Sequence, residues 1–220
     1  MKYSKDDIRQ AMLLYAVTDR RWLKQGQSLS SVCQRVLENG ATFLQIREKD
    51  LSAADFEREA EALRTICHEH RVPFVVNDSV EIALKSGADG VHVGQSDIMG
   101  RDIRALIGPD RILGMTARTV EEAVAAQQAG ADYIGVGSVF STGTKKDAIP
   151  MTRERLQAIR EAVSIPIVAI GGINAGNVLE LTGSGVDGVA VVSGIFAAED
   201  PGAAAAELAA LARKVTAKHG

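Results

Sequence analysis

The sequence predicts an α/β fold, a single domain over residues 1–220 built as a (β/α)₈ barrel with a short extra N-terminal helix. Three observations predict it: short Val- and Ile-rich runs alternate with amphipathic stretches, these runs are continuously apolar, and a glycine-containing junction recurs before several of them. Continuous apolar runs are typical of strands buried on both faces of a parallel sheet. Eight strands in this length leave about 27 residues per βα unit, which fits a compact barrel.

The elements follow one another in a regular order. The polar segment Ser4–Met12 is expected to form the extra helix and to cover one end of the barrel. Helix start signals lie at Ser52, which has Asp55 three residues later as in a capping box, at Thr119 before two acidic residues, and at Asp200 before a proline. The eight strands are predicted at Leu13–Asp19, Phe43–Lys49, Pro73–Asp78, Gly90–Gln95, Arg111–Thr116, Tyr133–Phe140, Pro166–Gly172 and Gly188–Gly194.

The recurring junction reads glycine, a small residue, then aspartate, at Gly87–Val91, Gly130–Ile134 and Gly185–Val189, with Gly40–Leu44 as a looser copy. Glycine can take the left-handed conformation that ends a helix, and a polar residue then leads the chain into the next strand. Such a repeat indicates βα units in series. An open doubly wound sheet is the alternative, but it usually has fewer strands at this length, and no G-x-G-x-x-G follows the first strand.

Composition excludes several classes of protein. Hydrophobic residues make up 46% and charged residues 24%, as in a globular protein with a sizeable core. A formal net charge of −3 gives no basic surface for nucleic acid or an anionic membrane, and no apolar run reaches the roughly 18 residues of a membrane span. Two cysteines, Cys33 and Cys67, are too few for a disulfide scaffold. The N-terminus carries acidic residues rather than the apolar core of a signal peptide, so a cytoplasmic protein is expected, with its oligomeric state open.

The second strand supplies the first candidate binding residues, because barrel enzymes hold their sites at the C-terminal ends of the strands. That strand ends Gln45-Ile46-Arg47-Glu48-Lys49. Alternation places the side chains of Gln45, Arg47 and Lys49 on one side and those of Ile46 and Glu48 on the other. Three polar or cationic groups on one side suit an anion with many oxygens, such as a diphosphate. A solvated strand end with local salt bridges is the alternative interpretation.

The third and fourth strands end in carboxylates. Asp78 follows Asn77 at the end of the third strand, and Asp97 follows the fourth. Two carboxylates on neighbouring strand ends can share one cation, and oxygen ligands without nearby His or Cys suit Mg²⁺. Capping of the following helices is the alternative. The cationic end of the second strand favours the metal site.

The loops after strands six to eight have the composition of a phosphate site. Phe140–Pro150 contains three hydroxyls, a glycine and two lysines, which is typical of a lid that closes on phosphate. Gly171 and Gly172 after strand seven allow close backbone approach, and Val192 and Ser193 follow strand eight. In many barrels these two loops bind a phosphate through backbone N–H groups. Tight turns alone are the alternative role for the glycines.

The two halves together indicate a group transfer. Cations and a divalent metal on one side of the barrel would hold a diphosphate, and the other side would hold a monophosphate. A diphosphate bound in this way is a good leaving group, because the charge that develops on its oxygen is neutralised. Ser193 has no evident His–Asp partner set, so a hydrolase triad is not expected, and His92 is interpreted as a packed histidine.

These motifs resemble the thiamine-phosphate synthase family. The resemblance runs from about Leu13 to Pro201, and its most specific parts are Gln45–Lys49 and Thr142–Asp147. It implies a TIM barrel that joins hydroxymethylpyrimidine diphosphate to thiazole phosphate and releases diphosphate and thiamine phosphate. It also implies a dissociative mechanism, in which diphosphate leaves before the thiazole nitrogen captures a pyrimidine carbocation.

The resemblance assigns roles to residues already selected. It implies that the pyrimidine diphosphate is bound by Gln45, Arg47, Lys49, Asn77 and Lys145, of which Arg47, Lys49 and Lys145 act on the reacting diphosphate. Mg²⁺ would be held by Asp78 and Asp97. The thiazole phosphate would be bound by Thr142, Thr144, Gly172, Val192 and Ser193. The same binding segments include Ile46, Glu48 and Gly143.

Two positions depart from the family pattern. Thr116 stands where Ser is usual; it keeps the hydroxyl, so a contact with the diphosphate is still expected. Arg118 stands where His is common and receives no role. Two alternatives remain open, a thiazole tautomerase-like protein and a non-catalytic barrel that binds a phosphorylated ligand. The full diphosphate and metal set, with Arg47 and Asp78 at its centre, favours the synthase over both.

Overall fold

Eight parallel strands form a closed barrel in this computed structural model, which describes residues 3–95, 100–141 and 151–217. Each strand pairs with the next one in the chain, and β8 pairs with β1, so the sheet has no edge. The predicted (β/α)₈ barrel is therefore confirmed. The strands are β1 Leu14–Val17, β2 Phe43–Ile46, β3 Phe74–Asn77, β4 Gly90–Val93, β5 Ile112–Ala117, β6 Tyr133–Gly137, β7 Ile167–Ile170 and β8 Gly188–Val191.

Helices surround the barrel and connect its strands. None of those in the described part of the chain is both long and apolar enough to cross a membrane. Short 3₁₀ helices cover Arg20–Trp22 and Val178–Leu181. The described α-helices are α1 Lys5–Ala11, α2 Leu29–Glu38, α3 Ala53–Glu69, α4 Val80–Lys85, α5 Ile103–Ile107, α6 Val120–Gln128, α7 Arg153–Ala162, α8 Ser193–Phe196 and α9 Pro201–Thr216.

The strands divide the apolar residues between two cores. Side chains such as Leu44 and Val76 face the helices and join a large outer core. Their neighbours Phe43 and Val75 join a smaller inner cluster that fills the barrel. Because successive strand residues point to opposite faces, a continuous apolar run supplies both cores at once. This explains why the strands read as uninterrupted hydrophobic runs in the sequence.

Helix α1 closes the N-terminal end of the barrel, as the sequence predicts. Ser4 and Asp7 form a capping box at its start. Its buried residue Ile8, with Met12 just beyond the helix, belongs to the inner cluster. On its polar side, Arg9 forms an ion pair with Asp187, which lies just before β8. The helix therefore packs under the strands rather than beside them.

The repeated junction is a hydrogen-bonded clamp at the same end of the barrel. In each copy, the polar residue before an even-numbered strand accepts the backbone N–H at the start of the preceding strand. Asp89 accepts from Phe74 at 3.0 Å and Asp132 accepts from Leu113 at 2.8 Å. Asp187 makes the same bond at 2.8 Å, and Thr42 makes it at 2.9 Å in the looser copy. The glycines that begin the four junctions have positive φ, as expected for a helix-ending turn.

Most observed strands are shorter than predicted at their C-terminal ends. The N–H of Arg47 bonds to the side chain of Thr18 at 2.9 Å instead of to a strand backbone, so β2 ends at Ile46. Asp78 takes a left-handed φ of 62° and Gly171 a φ of 106°, and both angles are incompatible with continued strand pairing. Hydrophobicity does not show these endings, because they depend on contacts between neighbouring loops.

The clamp predicts a loss of stability when its carboxylate is removed. Asp132→Ala leaves the N–H of Leu113 without its acceptor and Arg104, 2.7 Å from that carboxylate, without its ion-pair partner. We expect the free energy of unfolding to fall by about 1–3 kcal/mol in chemical denaturation. Glu207→Ala on the exposed side of α9 is the control and should change it by less than about 0.5 kcal/mol. Equal stability of the two variants would contradict the clamp.

Candidate active site

The C-terminal ends of the eight strands form a mouth, and the cationic end of β2 lies on its rim. Gln45 is 5% exposed, and its amide Nε2 donates to the hydroxyl of Tyr15 at 2.6 Å inside the barrel. Arg47 is half-buried, and Lys49 is exposed. The bond from the Arg47 N–H to Thr18 ties this segment to the end of β1. An interior amide followed by two cations further out fits a ligand with a polar ring and an anionic group.

The side chains of Ile46 and Glu48 lie on the helix side of the same segment. Ile46 is fully buried in the outer core. Glu48 accepts from Arg20 at 2.6 Å, and Arg20 also donates to Glu59 of α3 at 2.9 Å. Burial raises the pKa of Glu48, and the hydrogen bond from Arg20 opposes this effect. A ligand in the mouth would therefore reach only the backbone of these two predicted binding residues.

Asp19 is a charged residue of the mouth to which the sequence analysis assigned no role. It follows β1, is 4% exposed, and accepts from Arg21 through both carboxylate oxygens, with Arg21 Nη2 2.6 Å from Oδ2. The hydrogen bonds from Arg21 lower the pKa of Asp19, and the nearby charge of Arg47 acts in the same direction. The sequence signal was an acid at a strand end, but only the structure places this acid beside Arg47.

The end of β3 carries the first predicted metal ligand in a strained conformation. Asp78 is exposed at a φ of 62°, and its Oδ2 accepts from Asn77 Nδ2 at 2.5 Å. Its backbone N–H donates to the carbonyl of His92 on β4 at 2.8 Å. Strained left-handed residues other than glycine occur preferentially at functional sites. The second predicted ligand, Asp97, lies outside the described residues.

The conformation of Asp78 predicts an unusual order of stability. Asp78→Gly and Asp78→Ala both remove the carboxylate, but only glycine takes a positive φ without steric cost. We expect the glycine variant to be about 1 kcal/mol more stable than the alanine variant in thermal or chemical unfolding. The same pair of substitutions at Glu81, within helix α4, should show the reverse order, since alanine is the better helix former. An alanine variant at position 78 as stable as glycine would contradict the left-handed conformation.

Glycines allow the loops after β6, β7 and β8 to pack against one another. A Cβ at Gly171 would lie 2.0 Å from the hydroxyl of Ser138, and one at Gly172 would lie 2.4 Å from the carbonyl oxygen of Ser141. A Cβ at Gly194 would lie 2.6 Å from the carbonyl oxygen of Ile173. These close approaches show that the loops after β6, β7 and β8 pack directly against one another. At Gly172, the space that a side chain would need is occupied by the loop after β6.

The loop after β6 is attached to the barrel on both flanks. Phe140 N–H donates to the carbonyl of Gly171 at 3.0 Å, and Met151 N–H donates to the carbonyl of Ser138 at 2.7 Å. The predicted phosphate-binding residues between these anchors lie outside the described residues; they are Thr142, Gly143, Thr144 and Lys145. Val192 and Ser193, at the start of α8, are half-buried. They lie at the C-terminal end of β8, as the sequence predicts.

Gly172→Ala should disturb the loop after β6. The substitution combines a positive φ of 68° with a clash against the Ser141 carbonyl. Gly26→Ala is the matched control, because Gly26 has a φ of 81° but open space around its Cβ position. We expect Gly26→Ala to lower the free energy of unfolding by about 1–2 kcal/mol and Gly172→Ala to lower it further. Equal losses in the two variants would show that the loops can separate without cost.

Thr116 lies at the end of β5, across the barrel from Gln45. It is half-buried, and its hydroxyl is 3.1 Å from Nε2 of His92. Its backbone carbonyl accepts from the side chain of Gln95 at 2.6 Å. Arg118, the other residue that departs from the family pattern, is exposed and lies one residue beyond the strand. Thr116 is the one hydroxyl-bearing residue that the sequence analysis assigned to the diphosphate, and it lies at the mouth end of β5.

Comparison with known proteins identifies the family. The family model described as thiamine monophosphate synthase matches residues 14–195. The chain belongs to the thiamine monophosphate synthase family. It is 48% identical over 195 residues to a thiamine-phosphate synthase of Clostridium beijerinckii, covering 89% of this chain and 93% of that protein. A thiamine-phosphate synthase of Clostridium tetani is 46% identical with the same coverage.

A solved structure agrees with these relatives. The thiamine phosphate pyrophosphorylase from Pyrococcus furiosus superimposes with a TM-score of 0.87 at 38% identity, over 96% of this chain and 100% of that one. The family resemblance seen in the sequence is thereby confirmed, and the protein is a transferase of thiamine biosynthesis. The roles of individual residues in the mouth stay predictions.

Proposed function

We propose that the protein condenses hydroxymethylpyrimidine diphosphate with thiazole phosphate and releases thiamine phosphate and diphosphate. One observation carries the proposal: a single barrel mouth joins the cationic end of β2 and the carboxylate end of β3 to closely packed glycine loops after β7 and β8. The ends of β2 and β3 suit a diphosphate, and the glycine loops after β7 and β8 suit a monophosphate. Two phosphorylated substrates can thus meet at one barrel mouth.

The diphosphate half rests on Arg47, Lys49 and Asn77, with Lys145 added from the loop after β6. Arg47 offers a planar fork of donors, and Lys49 offers a compact charge. As the bond from the pyrimidine methylene carbon to oxygen breaks, both electrons go to the diphosphate. Fixed cations beside that oxygen stabilise the developing charge, and their effect is larger in the transition state than in the substrate complex.

The same corner of the mouth fits Mg²⁺. Asp78 presents an exposed carboxylate beside the amide of Asn77, so the donors are hard oxygens. Within residues 3–95, 100–141 and 151–217, no group of three or more His, Cys, Asp or Glu could form a metal cage. In proteins, Mg²⁺ usually binds one or two carboxylates together with substrate phosphate oxygens and waters. We propose that Asp78 and Asp97 hold the ion, which would neutralise charge on the diphosphate.

The proposed site for the second substrate, thiazole phosphate, relies largely on backbone N–H groups. Gly172, Val192 and Ser193 would hold the thiazole phosphate, together with the hydroxyls of Thr142 and Thr144. The phosphate would place the thiazole nitrogen beside the pyrimidine carbocation, and a carbon–nitrogen bond would form from the nitrogen lone pair. This dissociative route requires no covalent protein nucleophile. The protein's contribution is therefore to position two substrates and to stabilise charge.

Coupled turnover tests the proposal. Purified protein with both substrates and Mg²⁺ should yield thiamine phosphate and diphosphate in equal amounts, measured by mass spectrometry and a diphosphate assay. Arg47→Ala should lower kcat/KM for the pyrimidine diphosphate about 100-fold, because a charged donor to the leaving group is lost. Arg58→Ala, which removes an exposed arginine of α3, should leave it within about twofold.

Two results would contradict the proposed reaction. Release of diphosphate with free pyrimidine alcohol and no coupled product would indicate a hydrolase. Binding of both substrates without any turnover would indicate a non-catalytic phosphate-binding barrel. Equal activity of the Arg47 and Arg58 variants would remove β2 from the diphosphate site.

A further inference from the structure

A chain of hydrogen-bonded side chains crosses the interior of the barrel from β2 to β5. It begins at Gln45, whose Nε2 lies 2.6 Å from the hydroxyl of Tyr15. The hydroxyl of Tyr15 lies 2.8 Å from that of Tyr133 on β6. Both tyrosines are at most 1% exposed, and burial raises the pKa of each phenol. Both phenols therefore carry their protons at neutral pH and can each donate one hydrogen bond.

The chain continues through His92 to the other side of the mouth. The hydroxyl of Tyr133 lies 3.0 Å from Nδ1 of His92, and Nε2 of the same ring lies 3.1 Å from Oγ1 of Thr116. Gln45 and Thr116, the two ends, are both residues that the sequence analysis assigned to the pyrimidine diphosphate. The three residues between them received no role in binding.

Two glycines provide the space for this chain. A Cβ at Gly114 would lie 2.2 Å from the ring of Tyr133 and 2.5 Å from Nδ1 of His92. A Cβ at Gly135 would lie 3.2 Å from the ring of His92. A side chain at Gly114 would thus displace Tyr133 or His92, and one at Gly135 would press on the His92 ring. The glycines of β5 and β6 therefore leave the space that the hydrogen-bonded side chains occupy.

The amide of Gln45 determines the direction of the first two bonds. Its Nε2 can only donate, so the oxygen of Tyr15 accepts this bond. The only other hydrogen-bond partner of the Tyr15 hydroxyl within the described residues is Tyr133, so the Tyr15 proton points to Tyr133. A buried hydroxyl without an acceptor would cost about 1–3 kcal/mol, which disfavours the opposite arrangement.

The same logic determines the last two bonds. With the oxygen of Tyr133 accepting from Tyr15, its proton points to Nδ1 of His92. Because Nδ1 accepts this bond, the ring N–H lies on Nε2 and donates to Thr116. The hydroxyl of Thr116 accepts this bond and keeps its own proton for a ligand.

We propose that Gln45 acts through Tyr15, Tyr133 and His92 as a positioning chain that makes the Thr116 hydroxyl a donor to the leaving diphosphate. The proposal rests on the proposed function for the identity of the ligand. With the amide of Gln45 turned over, every bond would reverse, and Thr116 would present an oxygen lone pair to an anion. The forward direction also leaves Oε1 of Gln45 as an acceptor for an N–H group of the same ligand. One substrate with an amino group on its ring and a diphosphate would thus satisfy both ends of the chain.

The tautomer of His92 tests the proposal without turnover. We would record ¹⁵N NMR spectra of histidine-labelled protein at about pH 8, with and without inorganic diphosphate and Mg²⁺. His92→Asn assigns the signal. We expect the Nε2–H tautomer in both states, and its loss or mixture with the other tautomer in Tyr133→Phe. An Nδ1–H tautomer in the wild-type protein would overturn the proposal.

A double-mutant cycle tests whether the interior residues act through Thr116. Tyr133→Phe keeps the ring and removes one hydroxyl, and we expect it to lower kcat about tenfold with the KM for thiazole phosphate unchanged. If Tyr133 acts through Thr116, the double variant with Thr116→Val should be within about twofold of Thr116→Val alone. Losses that multiply would instead show that the two residues act separately and would overturn the proposal.

Phe43→Leu is the matched control for packing. Its ring lies 4.4 Å from that of Tyr15 and 5.6 Å from that of Tyr133, between centroids, but it offers no hydrogen bond. Its effect should multiply with that of Thr116→Val, as expected for a change in packing alone. Because the NMR experiment needs no substrate, failure of the proposed reaction and failure of the proposed chain can be distinguished.

Discussion

The pairing of β1 with β8 is the interaction on which the rest of the structure depends. It places Leu14 beside Val189 and Ala16 beside Val191, and it closes the sheet. A closed parallel sheet has all its carboxyl strand ends at one rim, so residues more than 100 positions apart in the chain meet there. Arg47 after β2 and Ser193 after β8 share a mouth only because of this closure.

The two ends of the barrel use polar residues for different purposes. At the N-terminal end, Asp89, Asp132 and Asp187 accept strand N–H groups and pair with cations from helices or, for Asp89, with His68, so their charges are satisfied locally. At the C-terminal end, Lys49 is exposed and Asp78 is held in a left-handed conformation. Satisfied carboxylates stabilise the fold, whereas exposed charges at a strained rim are suited to bind a ligand.

The barrel interior combines both properties. Its lower part is filled by apolar side chains and closed by α1, but a polar chain of two tyrosines and a histidine runs just beneath the mouth. A buried polar network is tolerated only when its members are hydrogen-bonded to one another, and then it is rigid. This rigidity makes the interior a support for Gln45 and Thr116, which lie between the apolar core and the barrel mouth. Such pre-organisation reduces the rearrangement needed when charge develops.

Much of this arrangement could be predicted from the sequence. Each strand must supply the inner and outer cores together, so eight continuous apolar runs predicted eight buried strands. The glycine–aspartate junction depends on local backbone geometry, which is why its positive φ angles could be expected from the sequence. The bonds from its polar residue to the neighbouring strand were seen only in the structure. Motifs at strand ends, such as Gln45–Lys49, were informative because a parallel barrel gathers those ends.

The tertiary structure decided what depends on neighbours distant in the chain. Glu48 faces Arg20 and Glu59 rather than the mouth, and Asp19 is buried beside Arg47, although both read as acids at strand ends. His92 was interpreted as a packed histidine, but the structure places it between Tyr133 and Thr116. The sequence by itself determined the fold, the family and the segments that line the mouth, because these follow from local periodicity and motif. Side-chain partners were decided only by the closed barrel, because a hydrogen bond depends on which atoms meet across strands that local sequence does not relate.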